Sequence, residues 1–464
     1  MAREGTAAAT HPLAYIRRRH GWSYQDLARV IADHARALGV PMAARREKVW
    51  RWEHWGVVPE ADSQRALARA LGVPARELES RPWPRWLPAH GGMPDGLPWT
   101  TEGSMLALKS LTDDEGGDPR GFPIADEQAL LDAIADWDAA GAEGAAEASA
   151  DAAAVPAPRV GAPRAPVRGG PPDDITADPE IVDEALLAWL RTGVAGLRRL
   201  DDRFGGAAVR HRVAADLRLV QGLLQRTRHG GAGRAVRTEL LRIAAELAQL
   251  GGWAATDAGR HGAAQRHYLT GLRLAHSAGD RSLPVAVWGG LAMQSVMADR
   301  PRDAVAAAEA AVRAAGSGPC LVRALAASRL GRAQAALGAE GAFRRAMAEA
   351  RRQLAAAADE PGPAWLYWLN SAELDAQSGF SLFDLDRPQE AGPLLERALA
   401  AQDTALIRDR CLYAARAAAA RALGGDLDGA RALGRQAAAL SRHCGSPRIA
   451  DALDALKVRL DARS

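Results

Sequence analysis

Apolar positions recur at helical spacing along most of the chain, and the interruptions in that pattern divide it into four regions. Residues 11–80 hold short, closely spaced helical patterns. Residues 181–460 are helical almost without a break, at offsets that let each helix bury one stripe against the next. Between them, 81–124 is rich in Trp, Pro and Gly and reads as irregular chain pinned by Trp83, Trp86 and Trp99. After it, "ADEQALLDAIADWDAAG" puts Leu130, Leu131, Ile134 and Trp137 on one stripe with acids opposite, which predicts an amphipathic helix over 125–139 that packs on its neighbours. The stretch 139–180, containing "EGAAEASADAAAVPAPRVGAPRAPVRGGPPDD", has hardly a large apolar side chain and is read as a disordered linker. With helical patterns on both sides of the connector, the expected fold class is all-α.

The long C-terminal region repeats itself. Small and bulky apolar residues recur at matched offsets: Ala264, Tyr268 and Gly271; Ala304, Ala308 and Ala311; Ala342 and Ala346; Ala391, Leu395 and Ala398; Ala430, Gly434 and Ala437. Successive copies begin about 40, 38, 49 and 39 residues apart. The pattern resembles the tetratricopeptide family, and the resemblance implies a tetratricopeptide-like α-solenoid over 181–460 whose small residues let helix backbones approach closely. Nearly all of these residues are therefore expected in the core.

Composition narrows the setting. The three cysteines, Cys320, Cys411 and Cys444, stand far apart with no CxxC spacing, against both a disulfide framework and a zinc site. There is no signal-peptide pattern at the N-terminus and no window of about 18 apolar residues, so a cytoplasmic protein with no membrane partner is expected. Charge is distributed unevenly: residues 1–86 carry 15 Lys/Arg against 9 Asp/Glu, whereas 87–138 carry 2 against 11. A basic N-terminal block followed by an acidic one marks the first as the polyanion-binding end.

Within that block, "MAARREKVWRWEHWGVVP" (42–59) crowds arginines and tryptophans into a short helical pattern. Val49 and Trp52 lie three apart and face inward, which leaves Arg45, Arg46, Trp50 and Arg51 outward. Trp55 is also assigned to the core. Ser23 is the expected N-cap of the preceding helix, with Asp26 in its first turn.

The order of landmarks resembles the helix-turn-helix domain of the lambda-repressor and Cro class, the XRE family. The matching residues are Gly21-Trp22-Ser23, Leu27-Ala28, Val49-Trp50-Arg51-Trp52-Glu53, Pro59 and Leu67-Ala68-Arg69-Ala70-Leu71-Gly72-Val73. Joined to a tetratricopeptide-like domain through a proline-rich linker, the whole resembles a group of actinobacterial transcriptional regulators. The resemblance implies that the third helix enters the major groove of double-stranded DNA, with Arg45, Arg46, Glu47, Trp50 and Arg51 on its exposed side and Arg45 or Arg46 reading guanine. It implies phosphate contacts from Tyr24 or Gln25 at the start of the second helix and from Lys48 and Arg51. It also implies a structural pair between Arg17 and Glu53. Between Ala28 and Val49 the chain has about eleven residues more than the family pattern, expected to lengthen the second helix by about two turns and enlarge the turn.

No Walker-type GxxxxGK, GxGxxG, GxSxG or HExxH motif is present, and His261, His267 and His276 read as helix-surface or packing residues. An enzyme is not expected, nor a metal or cofactor. The reading that follows is a dimeric DNA-binding regulator whose repeat domain senses a peptide, small molecule or partner protein, a peptide-pheromone receptor being one subclass. The alternative is an interaction scaffold whose N-terminal domain no longer binds DNA.

Overall fold

The computed structural model describes residues 11–73, 75–80, 82–84, 86–87, 97–113, 124–125, 127–154, 182–227, 232–358 and 360–462. Helices dominate, and among the described residues there is no strand. None of the described helices is long and apolar enough to cross a membrane.

Five short helices build the N-terminal core: α1 (Pro12–Arg19), α2 (Tyr24–Ala37), α3 (Arg46–His54), α4 (Ala61–Ala70) and α5 (Ala75–Ser80). Ser23 opens α2 with a reciprocal capping box: its Oγ accepts from the Asp26 N–H at 3.1 Å and the Asp26 carboxylate accepts from the Ser23 N–H at 3.0 Å. At the other end Gly39 takes φ +76°, and the Val40 N–H turns back to the Ala35 carbonyl at 2.9 Å, which stops the helix. Helix α2 thus runs for 14 residues, and residues 38–45 connect it to α3. That connection is not loose, because Val40, Met42 and Ala44 pack on the core formed by Leu13, Leu27, Ile31, Val49, Trp52 and Leu67.

The tryptophans of the Pro-rich stretch go to different cores. Trp86 is buried with the N-terminal helices, its indole N–H donating to Gln64 at 2.8 Å, and Trp83 packs edgewise on Trp52 and Trp86. Trp99 instead lies under the Arg273 guanidinium at 4.4 Å, on the repeat domain. The stretch read as irregular also contains a helix, α6 (Thr101–Asp113), whose Leu108 and Leu111 are buried. Ser104 of α6 donates to the Arg273 carbonyl at 2.9 Å and Thr112 to Gln221 at 2.8 Å, so this part of the connector is a layer of the repeat domain.

Helix α7 (Glu127–Ala154) follows. Leu130 and Ile134 are buried and Trp137 meets Trp288 edge-on at 6.0 Å. The helix outruns the expected end at 139, which corrects the disordered reading for 139–154. The residues there are mostly alanine, the best helix former, so backbone propensity continues what apolar packing began. The rest of the expected linker, through 180, lies outside the described residues.

Helices α8 (Glu184–Phe204) and α9 (Gly206–Arg226) lead into five antiparallel pairs: α10 (Ala232–Asp257) with α11 (His261–Ser277), α12 (Leu283–Met297) with α13 (Pro301–Ala315), α14 (Cys320–Ala336) with α15 (Glu340–Ala356), α16 (Ser371–Asp384) with α17 (Pro388–Ala401), and α18 (Ile407–Leu423) with α19 (Leu427–Ser441). A last helix, α20 (Pro447–Asp461), packs on α18 and α19. Proline at the first position of α13, α17 and α20 supplies a helix-ready φ where no N–H is needed.

The repeat positions Ala264, Tyr268, Ala304, Ala308, Ala311, Ala391, Leu395, Ala398, Ala430 and Ala437 are buried. In the third copy the register is one residue later than expected: Ala342 and Ala346 are half-buried, while Phe343, Met347 and Ala350 fill the core. The larger side chains win the interior there because they remove more apolar surface from water.

The stack curves until its ends meet. Arg408 at the start of α18 is bonded to Asp201 and Asp202 at the end of α8, and the Gly445 N–H donates to the Phe204 carbonyl at 3.0 Å. Asp257, at the end of α10, accepts from the Gly206 N–H at 3.1 Å and from Ser446 at 2.8 Å, joining three helices at the seam.

Candidate nucleic-acid interface

Helix α3 is held from one side only. Val49 and Trp52 are inserted in the core at 1% and 5% exposure, while Arg45, Arg46, Glu47, Trp50 and Arg51 are exposed on the far side. This division follows from spacing alone, since positions three apart share a face of a helix.

The orientation of α3 is fixed by a charged bond. Arg17 of α1 grips Glu53 with both arms, Nε to Oε1 at 2.8 Å and Nη2 to Oε2 at 3.0 Å, and the Glu53 side chain is only 1% exposed. A two-pronged guanidinium–carboxylate contact sets direction as well as distance. The same guanidinium donates to the Trp22 carbonyl at 3.2 Å and lies 3.9 Å over the Tyr24 ring, so one arginine ties α1, the α1–α2 turn, the start of α2 and the end of α3. The hydrogen bonds to Glu53 raise the Arg17 pKa, and burial raises that of the Tyr24 hydroxyl.

Arg45 occupies the N-cap position of α3 rather than its first turn, with φ −102° and ψ 109°, and makes no cap bond with its side chain. Arg46 pairs with Glu47 at 3.1 Å, both well exposed, a contact that solvent leaves weak. The Glu47 backbone N–H and then Arg46 hold its carboxyl below the usual range, in the first turn, where negative charge suits the helix dipole. Lys48 is half-buried and lies 3.7 Å from Glu60, which offsets part of its charge. The Arg45 and Arg51 side chains make no hydrogen bond or ion pair among the described residues.

At the start of α2, Tyr24 and Gln25 are half-buried. The Gln25 amide donates to the Ala44 carbonyl at 3.3 Å, tying α2 to the 38–45 connection just before α3. Sequence reasoning gave Gln25 an outward role and missed this inward one, because the loop it bonds has no periodic signal.

One assignment is corrected. Trp55 is 67% exposed and not in the core. It stands one residue past the end of α3, where the chain has left helical geometry, and meets Trp50 edge-on at 5.2 Å. Trp50 in turn stacks on His54 at 4.5 Å, whose Nδ1 lies 2.9 Å from the Trp50 carbonyl oxygen. The result is an exposed aromatic ledge beside the arginines. Among the described residues no three His, Cys, Asp or Glu side chains gather as metal ligands, and the three cysteines are buried and free.

A comparison with known protein families and with curated proteins gives no match.

Proposed function

We propose that the chain is a sequence-specific DNA-binding transcriptional regulator of the XRE type, acting in the cytoplasm. In this reading α3 lies in the major groove of double-stranded DNA, and the tetratricopeptide-like domain mediates dimerisation and the sensing of a partner or effector. One observation carries it: α3 is anchored by Val49, Trp52 and the Arg17–Glu53 bond on one side, and on the other presents arginines that the protein itself leaves unbonded. A guanidinium fork with free N–H groups matches the paired acceptors of guanine, and Trp50 offers an apolar surface to a thymine methyl. Arg51 and Lys48 neutralise phosphate, and Tyr24 at the start of α2 meets the backbone. The Arg17–Glu53 bond belongs to the architecture of the reading head and does not touch DNA.

Mobility-shift assays of the full chain against fragments of the source genome test this. A subset of fragments is expected to be retarded, and Arg45→Ala or Arg46→Ala is expected to weaken binding to the best of them by about 1 to 3 kcal/mol if that residue reads guanine. No retardation of any fragment, with the chain folded, supports instead a protein-interaction scaffold, the reading favoured by the unusually long α2 and the 38–45 connection.

A further inference from the structure

Closure of the helical stack leaves a cavity of about 110 Å³ at its centre, lined by side chains from helices as far apart in sequence as α8 and α20. Trp365, Trp368 and Phe380 supply apolar walls, and four arginines and four carboxylates supply charge. Formal charges balance, so the character of the site is decided by which groups are already bonded.

Each carboxylate receives at least one donor, although Asp201 Oδ1 is buried without a partner. Asp201 and Asp202 receive Arg408, Asp202 also the Tyr367 hydroxyl, and Glu373 takes the Tyr413 hydroxyl and the Gln377 amide. Asp409 receives Arg408 Nε at 3.4 Å. The arginines are unequal. Arg198 bonds Gln249 at 2.9 Å and Glu246 at 3.2 Å, and Arg408 is fully engaged.

Arg329 makes no hydrogen bond. Its side chain is 8% exposed, its nearest carboxylate oxygen, on Glu373, stands 3.9 Å away, and its guanidinium lies 5.2 Å from the Trp368 ring centre. Arg448 makes no hydrogen bond either, with Asp257 at 3.5 Å and the Trp253 ring centre at 5.5 Å. A buried guanidinium without acceptors carries a desolvation cost that an incoming acceptor relieves.

From the Arg329 guanidinium, unbonded beside aromatic walls, we infer that the central cavity binds a small organic anion, a carboxylate attached to a flat apolar body, with Arg329 holding the anionic group and the Trp365, Trp368 and Phe380 walls holding the body. The lining is about as polar as it is apolar, so the aromatic walls can hold a flat body while charged groups meet its polar end. The volume, about 110 Å³, limits an occupant to about one small ring and is too little for a folded partner segment. Burial lowers the Arg329 pKa, and Glu373, at 3.9 Å, offsets this only in part.

The inference concerns the repeat domain and does not rest on DNA binding. Isothermal titration of the full chain with phenylacetate and 3-phenylpropionate, and with their neutral amides, tests it. At least one carboxylate is expected to bind saturably at a single site, the matching amide at least about tenfold more weakly, and Arg329→Gln is expected to lose about tenfold for the carboxylate. Absence of saturable binding by both acids at millimolar concentration, equal binding of acid and amide, or unchanged binding by a folded Arg329→Gln chain would overturn it. If Arg329→Gln does not fold, the comparison of acid with amide on the unaltered chain decides.

Discussion

Glu53 carries more of the N-terminal geometry than its place at the end of a short helix suggests. It is a carboxylate at 1% exposure whose charge is met by one arginine, so removing Arg17 strands a buried anion. Arg17→Gln is expected to destabilise the N-terminal domain by about 3 to 5 kcal/mol, measured by urea unfolding, because the full desolvation cost of the unpaired partner then appears. A change below about 1 kcal/mol would mean that water or another donor reaches Glu53, the behaviour of an exposed pair. Tryptophans illustrate how far one residue's fate can be read without a fold. Trp52 is inward because Val49 three positions earlier is inward, whereas Trp55 follows the helix end, where the three-residue rule no longer applies.

At the scale of elements, helix pairs approach closely because glycines admit aromatic rings. A Cβ added to Gly290 of α12 would stand 2.5 Å from the Tyr268 ring, and one added to Gly252 of α10 would stand 2.6 Å from the same ring. Tyr268 is thus clamped between two helices that could not come so near with larger residues. Gly290→Ala is expected to cost about 1 to 3 kcal/mol in chemical unfolding of the repeat domain, through overpacking. Gly193→Ala in α8, where a Cβ meets nothing within 4 Å, is the matched control and should be neutral or stabilising by up to about 1 kcal/mol. Equal losses at both positions would show that close approach is not the reason for the glycine. Helices of this kind were legible because apolar spacing and small residues act locally. Less legible was α6, whose Leu108 and Leu111 form too short a stripe to stand out among Pro and Gly, and the extension of α7, where propensity without burial carries the helix on.

For the whole molecule, the two candidate sites differ in how sequence encodes them. The exposed face of α3 is written in nine consecutive residues and could be located from their period. By contrast, the central cavity depends on ring closure that joins Arg408 to Asp201 across 207 positions, and no local period reports such a juxtaposition. The claim on which the functional account turns is that the unbonded arginines of α3 meet DNA. The most direct measurement is the salt dependence of affinity, by fluorescence anisotropy on the duplex retarded most strongly. The account predicts a steep linear fall of log affinity with log salt, made shallower by about 0.9 in slope in Arg51→Ala, the loss of one phosphate contact. An affinity that ignores salt, or an Arg51→Ala slope equal to that of the unaltered chain, would contradict it.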